Sequence, residues 1–181
     1  MSKTDIQSLV DRALALGFSH AGALDAATLR PRQEVRGMCA AGRCNGYGKC
    51  WTCPPHCGDL EENRRILARY SAGLLVQTTA ELEDDFDYET MQAAGQKQKE
   101  LFRAFLRELR REYPDLLPLG SGGCGLCPSC TCPGAPCRHP EEATQSMEAF
   151  GLVVSDACAD NGMKYYYGPG TLTYTGCYLV E

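Results

Sequence analysis

Long apolar runs are missing from this sequence of 181 residues. None approaches the ~18 residues that a membrane helix needs, so no membrane partner is expected. A secretory leader is not expected either, since Lys3, Asp5, Asp11 and Arg12 fall where its apolar region would have to lie. The protein is therefore expected in the cytoplasm, with its thiols reduced or metal-bound. There is no basic excess, since 18 Lys and Arg face 23 Asp and Glu for a net charge of -5, and nucleic acid is not expected as a partner. No Ser/His/Asp arrangement and no paired carboxylates stand in a recognisable motif. Residues 120–125 match GxGxxG, but cysteines and prolines follow where a helix should begin, which argues against dinucleotide binding. Gly48 and Lys49 echo a phosphate loop without its first glycine or its following Ser/Thr. Internal repeats, low-complexity tracts and a clear linker are also lacking, so residues 1–181 read as a single domain.

What the chain does have is cysteine, twelve in all. That density falls below the range of small disulfide scaffolds, which are also shorter. Ten of the twelve fall into two loops, at about residues 39–57 and 122–140. In the second, Cys124, Cys127, Cys130, Cys132 and Cys137 are interleaved with glycine and proline, so no apolar core can form there. Successive CxxCxxC spacing curls a short loop until several thiolates converge, as in the cysteine runs that hold iron–sulfur clusters. A fourth ligand would be Cys137 or Cys132. Cys137 is favoured, because the single residue between Cys130 and Cys132 leaves the chain little room to reach another corner. The ferredoxin spacing itself is absent, since position 134 is glycine. The first loop offers Cys39, Cys44 and Cys53 at wider gaps, with Cys50 and Cys57 in reserve.

Three chemistries compete for these loops. One or two [4Fe–4S] clusters would make the protein an electron carrier or redox protein, working with a redox partner protein or a small molecule. Zinc would make it a structural or partner-binding module, although a zinc ribbon brings its two knuckles closer together in sequence than the gap from Cys57 to Cys124. A redox dithiol needs a CxxC pair opening a helix after a strand, which neither loop provides. A cluster held by only three cysteines would leave one iron open, and an enzyme would follow from that. His56 and His139 adjoin the loops and read as neighbours rather than ligands. Cys158 and Cys177 lie in apolar surroundings and read as inert buried thiols.

Around the loops, the pattern predicts a helix over residues 4–16 with Thr4 as N-cap and Gly17 as stop, and a short strand over 18–24, with His20 in the turn between them. It predicts a helix over 59–70 capped by Asp59, a buried strand over 72–79, and a long helix over 88–112 ended by Pro114. The arginines of that helix, Arg103, Arg107, Arg110 and Arg111, read as a solvated face. A strand over 116–119, a helix over 140–150 with Pro140 in its first turn, a strand or short helix from Leu152, and a strand over 171–180 complete the reading. Tyr165, Tyr166 and Tyr167 read as a strand and turn packed on the core rather than as a lid over a site. The fold class expected is α/β of the α+β kind, a small mixed sheet flanked by helices, with the two cysteine loops at one end of the sheet.

The same residues carry a resemblance. Cys39, Cys44, Tyr47-Gly48 and Cys53-Pro54-Pro55 in the first half stand in the order and spacing of the DUF2284 family of predicted metal-binding proteins. In the second half, Gly123-Cys124, Cys127, Cys130, Cys137-Arg138, Pro140 and Ser146-Met147-Glu148-Ala149 with Gly151 do the same. The likeness spans residues 35–156. It implies metal binding, with iron–sulfur the usual suspicion and anaerobic metabolism the usual setting, and no established reaction. Carried over residue by residue, it singles out Cys39, Cys44, Cys53, Cys124, Cys127, Cys130 and Cys137. Cys50, Cys57, Cys132, Cys158 and Cys177 lie outside its pattern.

Overall fold

The computed structural model describes residues 5–42 and 44–180. In chain order its elements are α1 (Ile6–Leu16), β1 (His20–Asp25), α2 (Gln33–Ala40), α3 (Leu60–Leu67), β2 (Ala72–Glu81), α4 (Tyr88–Glu112), β3 (Leu117–Gly120), β4 (Gln145–Ser146), α5 (Val154–Asp160) and β5 (Thr171–Leu179), with a 3-10 turn at Ala26–Thr28. The strands form one sheet in the order β1-β2-β5-β3-β4, antiparallel except for the parallel β3–β4 pair. No described helix is long and apolar enough to cross a membrane.

Alternation along β2 and β5 divides the core into two layers, because successive side chains point to opposite faces. Leu74, Val76, Tyr178 and Val180 face α1 and α4, where they meet Leu9, Ala13, Phe102, Phe105 and Leu109. Leu75, Cys177 and Leu179 face the other way, against Leu67 of α3, Ala157 and Cys158 of α5, and Met147, Phe150 and Leu152. Both faces being covered explains why the middle of β2 reads as a nearly unbroken apolar run. Phe102 lies flat on Tyr178 at 4.4 Å between ring centroids, and the Tyr178 hydroxyl donates to the Phe102 carbonyl at 2.7 Å. The room for this comes from Gly176, where a Cβ would stand 2.9 Å from the Phe102 ring.

Capping follows the sequence with one shift. Asp59 accepts from the Glu62 N–H at 2.7 Å, as its place before Glu61 and Glu62 predicts. The first helix is capped by Asp5, which accepts from the Ser8 N–H at 3.2 Å; Thr4 lies outside the described residues. Gly17 stops that helix at φ 120, in the region glycine alone enters easily. His20 is the first residue of β1 rather than part of the turn.

Two further expectations are corrected. Cys39 is helical, in the last turn of α2, although the first cysteine loop reads as irregular throughout. The helix expected over residues 140–150 does not form. Its start signals produce one turn, in which the N–H groups of Glu142 and Ala143 both reach the His139 carbonyl. After that the chain is taken by the sheet, with Gln145 and Ser146 pairing with Leu119 and Gly120. The Ser146 hydroxyl then accepts from the Ala149 N–H at 3.0 Å, a turn that buries Met147, Ala149 and Phe150. Strand pairing and burial outweigh the local preference of Pro140, Glu141 and Glu142 for a helix start.

Candidate metal centre

The first cysteine loop joins α2 to α3, and the second fills the excursion between β3 and β4. A hydrogen bond joins the two loops directly, and others tie the segments that flank them. The Trp51 indole N–H donates to the Ala135 carbonyl at 3.0 Å, and the Gln145 amide donates to the Cys57 carbonyl at 3.1 Å. Asn63 of α3 donates to the Phe150 carbonyl at 3.1 Å, and the Arg32 N–H to the Gly151 carbonyl at 2.8 Å. The arginines of α4 are also engaged, contrary to a purely solvated face. Arg103 donates to the Cys124 carbonyl at 2.7 Å, Arg107 pairs with Glu142 at 3.4 Å, and Arg110 donates to the Glu141 carbonyl. Together they clamp both ends of the second loop to the helix.

All twelve cysteines are free thiols. Cys124, Cys127, Cys130 and Cys137 line one cavity, which Cys50 of the first loop and His139 also line. Cys132 is outside that lining, although it neighbours Cys130 and Cys50. The sulfurs at this cavity receive hydrogen bonds from the main chain. Cys130 is reached by the N–H groups of Cys132, Trp51 and Thr131 and by the Cys50 thiol, and these hold its thiol below the usual range. Cys124 is pushed up by burial and drawn back by the N–H groups of Leu126 and Thr144 and by the Arg103 charge. The His139 N–H donates to Cys137 Sγ at 3.4 Å. Donors arranged this way favour the thiolate form that a metal requires.

A second group forms around the first loop. Cys44 and Cys57 stand close enough to Cys39 and Cys53 to raise the thiols of both. Burial comes first for Cys53, with Cys50, Cys44 and Cys57 adding to it, and pushes it up to about 12. Cys39 is raised by burial and then by Cys44. Gly46 makes the approach possible, because a Cβ there would stand 2.8 Å from Cys53 Sγ and 3.8 Å from Cys44 Sγ. Cys57 is buried and raised for that reason, while Arg36 opposes the rise by donating to its Sγ at 3.1 Å. Arg36 also reaches the carbonyls of Ala149 and Gly58.

The structure thus keeps the seven cysteines singled out by sequence in two neighbouring groups, and adds two members that sequence left in reserve. Cys57 joins Cys39, Cys44 and Cys53. Cys50 stands between the groups, against Cys53 on one side and Cys124 and Cys130 on the other. Loop membership in the sequence assigns Cys50 to the first group alone. Arg36 was legible only in retrospect, as the residue one turn before Cys39 on the same side of α2. Tyr165 and Tyr166 are exposed, and Tyr167 stacks on His20 at 4.0 Å and donates to Gln77 at 2.7 Å. Tyr167 alone is anchored on the sheet, and the segment runs as irregular chain rather than as a strand and turn packed on the core.

As a donor set, the cavity of the second loop offers thiols, one imidazole and no carboxylate. Sulfur ligands of this kind select zinc or iron–sulfur centres over magnesium or calcium. Among the described residues, no three Cys, His, Asp or Glu side chains converge on the position of one ion. The thiols line a cavity instead. The residues present fit a thiolate-held metal centre.

The comparisons with known proteins agree with this chemistry. The family model "Predicted metal-binding protein (DUF2284)" matches residues 22–180, beyond the 35–156 covered by the motifs. No curated protein and no solved structure matches the chain.

Proposed function

The chain belongs to the DUF2284 family of predicted metal-binding proteins, and we propose that the metal it binds is iron in a [4Fe–4S] cluster held by Cys124, Cys127, Cys130 and Cys137. The observation that carries the proposal is the cavity that these four cysteines line, with main-chain N–H groups directed at Cys130, Cys124 and Cys137. Such hydrogen bonds to sulfur tune the potential of iron–sulfur centres and stabilise the thiolates that hold them. A bound cluster would supply one-electron redox chemistry.

The role of the chain is then to hold and insulate. Glycine and proline keep side chains out of the loop, Arg103 and Arg110 tie it to α4, and Trp51 closes it from the side of the first loop. Cys39, Cys44, Cys53 and Cys57 form the second ligand group, suited to a second centre. Cys50, placed between the groups, would shorten the path of an electron from one to the other. Electron transfer or redox chemistry under low oxygen, with a partner protein or small molecule as the other half, is the function that follows.

The test is anaerobic purification with absorption near ~400 nm and assays of iron, zinc and acid-labile sulfide. Brown protein with iron and sulfide in proportion, bleached by dithionite, supports the proposal. Colourless protein carrying zinc refutes it and leaves a zinc-stabilised module.

A further inference from the structure

A different cavity lies beside the cysteine loop, between α4 and the point where β3 gives way to that loop. It is lined by Gln98, Lys99 and Arg103, by the main chain of Gly120 to Gly123, and by Thr144, with Phe102 behind them. We infer that it is a binding site for a small oxyanion, a carboxylate or phosphate group.

Three independent features converge there. Gln98 is buried, at 1% exposure. Its Oε1 accepts from the Thr78 hydroxyl at 2.5 Å, while its Nε2 has no partner among the described residues. A buried donor left unmade is costly, and a ligand oxygen would satisfy it. Lys99 and Arg103 are one turn apart on the same side of α4. Among the described residues, neither makes an ion pair with a carboxylate, although the chain as a whole is acidic at -5. Both cations face the loop: a Cβ at Gly125 would stand 3.2 Å from Lys99 Nζ and 3.9 Å from Arg103 Nη2. Finally, the N–H groups of Gly122 and Gly123 make no hydrogen bond among the described residues, and a Cβ on either would meet nothing within 4 Å. Bare main-chain amides beside two cations and a neutral amide donor are the elements of an anion site.

Size limits the ligand. The cavity is about 20 Å³, and one water needs roughly 10–15 Å³ of such space, so the site admits the oxygens of a head group and not a whole cofactor. The rest of the ligand would extend past Gly122 and Gly123, which are exposed. Cys124 lines this cavity as well as that of the second loop. If the cluster proposed above is present, the anion lies against its rim; the anion site itself does not depend on the cluster.

The experiment is isothermal titration of the full-length protein, purified without oxygen, with inorganic phosphate and separately with acetate, with iron and zinc assayed in the same samples. Saturable binding of either anion is expected, and the anion that saturates identifies the head group. Lys99→Gln and Gln98→Leu should each weaken it about tenfold or more, the scale of one lost charge-assisted hydrogen bond. Arg111→Gln, on the same helix but outside the cavity, should bind as the parent does. Failure of both anions to saturate, or parent-like affinity in Lys99→Gln, overturns the inference. The metal assay separates that failure from failure of the cluster proposal, since anion binding without iron sinks only the latter.

Discussion

Arg36 Nη1 lies 3.1 Å from Cys57 Sγ, and the same guanidinium reaches the carbonyls of Gly58 and Ala149. One cation on α2 thus fixes a candidate ligand, the end of its loop and the turn that follows β4. Replacing it by Met keeps much of the apolar stem and removes all three contacts. Arg36→Met should lower stability by about 1–3 kcal/mol, the scale of buried hydrogen-bonding groups left without a partner. It should also reduce metal bound by the first loop, read from denaturant midpoints and from metal content per chain.

The second loop gives a sharper contrast. Cys130 and Cys132 are separated by one residue, yet only Cys130 lines the cavity with Cys124, Cys127 and Cys137. Cys130→Ser and Cys137→Ser should each lose the metal of this loop, while Cys132→Ser should retain it. Metal content and visible absorption of anaerobic preparations check this, and equal loss in all three variants would overturn the choice of Cys137 over Cys132.

Gly46 tests the first group without touching a thiol. A Cβ there stands 2.8 Å from Cys53 Sγ, closer than real Cβ atoms come. Gly46→Ala should therefore impair metal loading at Cys39, Cys44, Cys53 and Cys57 while leaving the sheet folded. Near-normal far-ultraviolet circular dichroism with reduced metal content is the expected pair of readings.

His20 supplies a pH dependence away from both cysteine groups. It stacks on Tyr167 at 4.0 Å, and burial, helped by the nearby Lys164 charge, lowers its pKa from 6.5. A depressed folded value means that the folded state resists protonation. The associated stability is present above the unfolded pKa and is lost as pH falls from there through the folded value. His20→Phe keeps a ring over Tyr167 but cannot take the proton. The stability difference between about pH 7.5 and about pH 5 should be smaller in the variant than in the parent, measured by denaturant unfolding.

How much of this could be read beforehand depends on the range of the forces involved. The 88–112 helix matches α4 at both ends, because an apolar stripe and Pro114 are local signals. β2 and β5 were equally legible from their β-branched and aromatic content. The missing 140–150 helix was not, because what overrides it is pairing with Leu119 and Gly120, more than twenty residues earlier. The candidate site divides the same way. Spacing marks which loops carry thiols, but the place of Cys50 between the two groups depends on how Trp51 docks on Ala135, and no local pattern encodes that. Gln98 was hidden for a similar reason, since a glutamine in a helix becomes informative only when burial leaves its amide nitrogen without a partner among the described residues.

The short parallel pairing of Leu119 with Gln145 and of Gly120 with Ser146 means that the second cysteine loop leaves and rejoins the sheet at adjacent points. Paired strands lie about 4.8 Å apart, so the sheet itself closes the loop, and what lies between hardly alters the geometry at its ends. Closing a longer loop costs little, about 0.6 kcal/mol for each doubling of length. The architecture is that of a socket: residues could be inserted, removed or exchanged between Ser121 and Thr144 with the scaffold intact. The same scaffold could then carry cysteine loops of quite different reach.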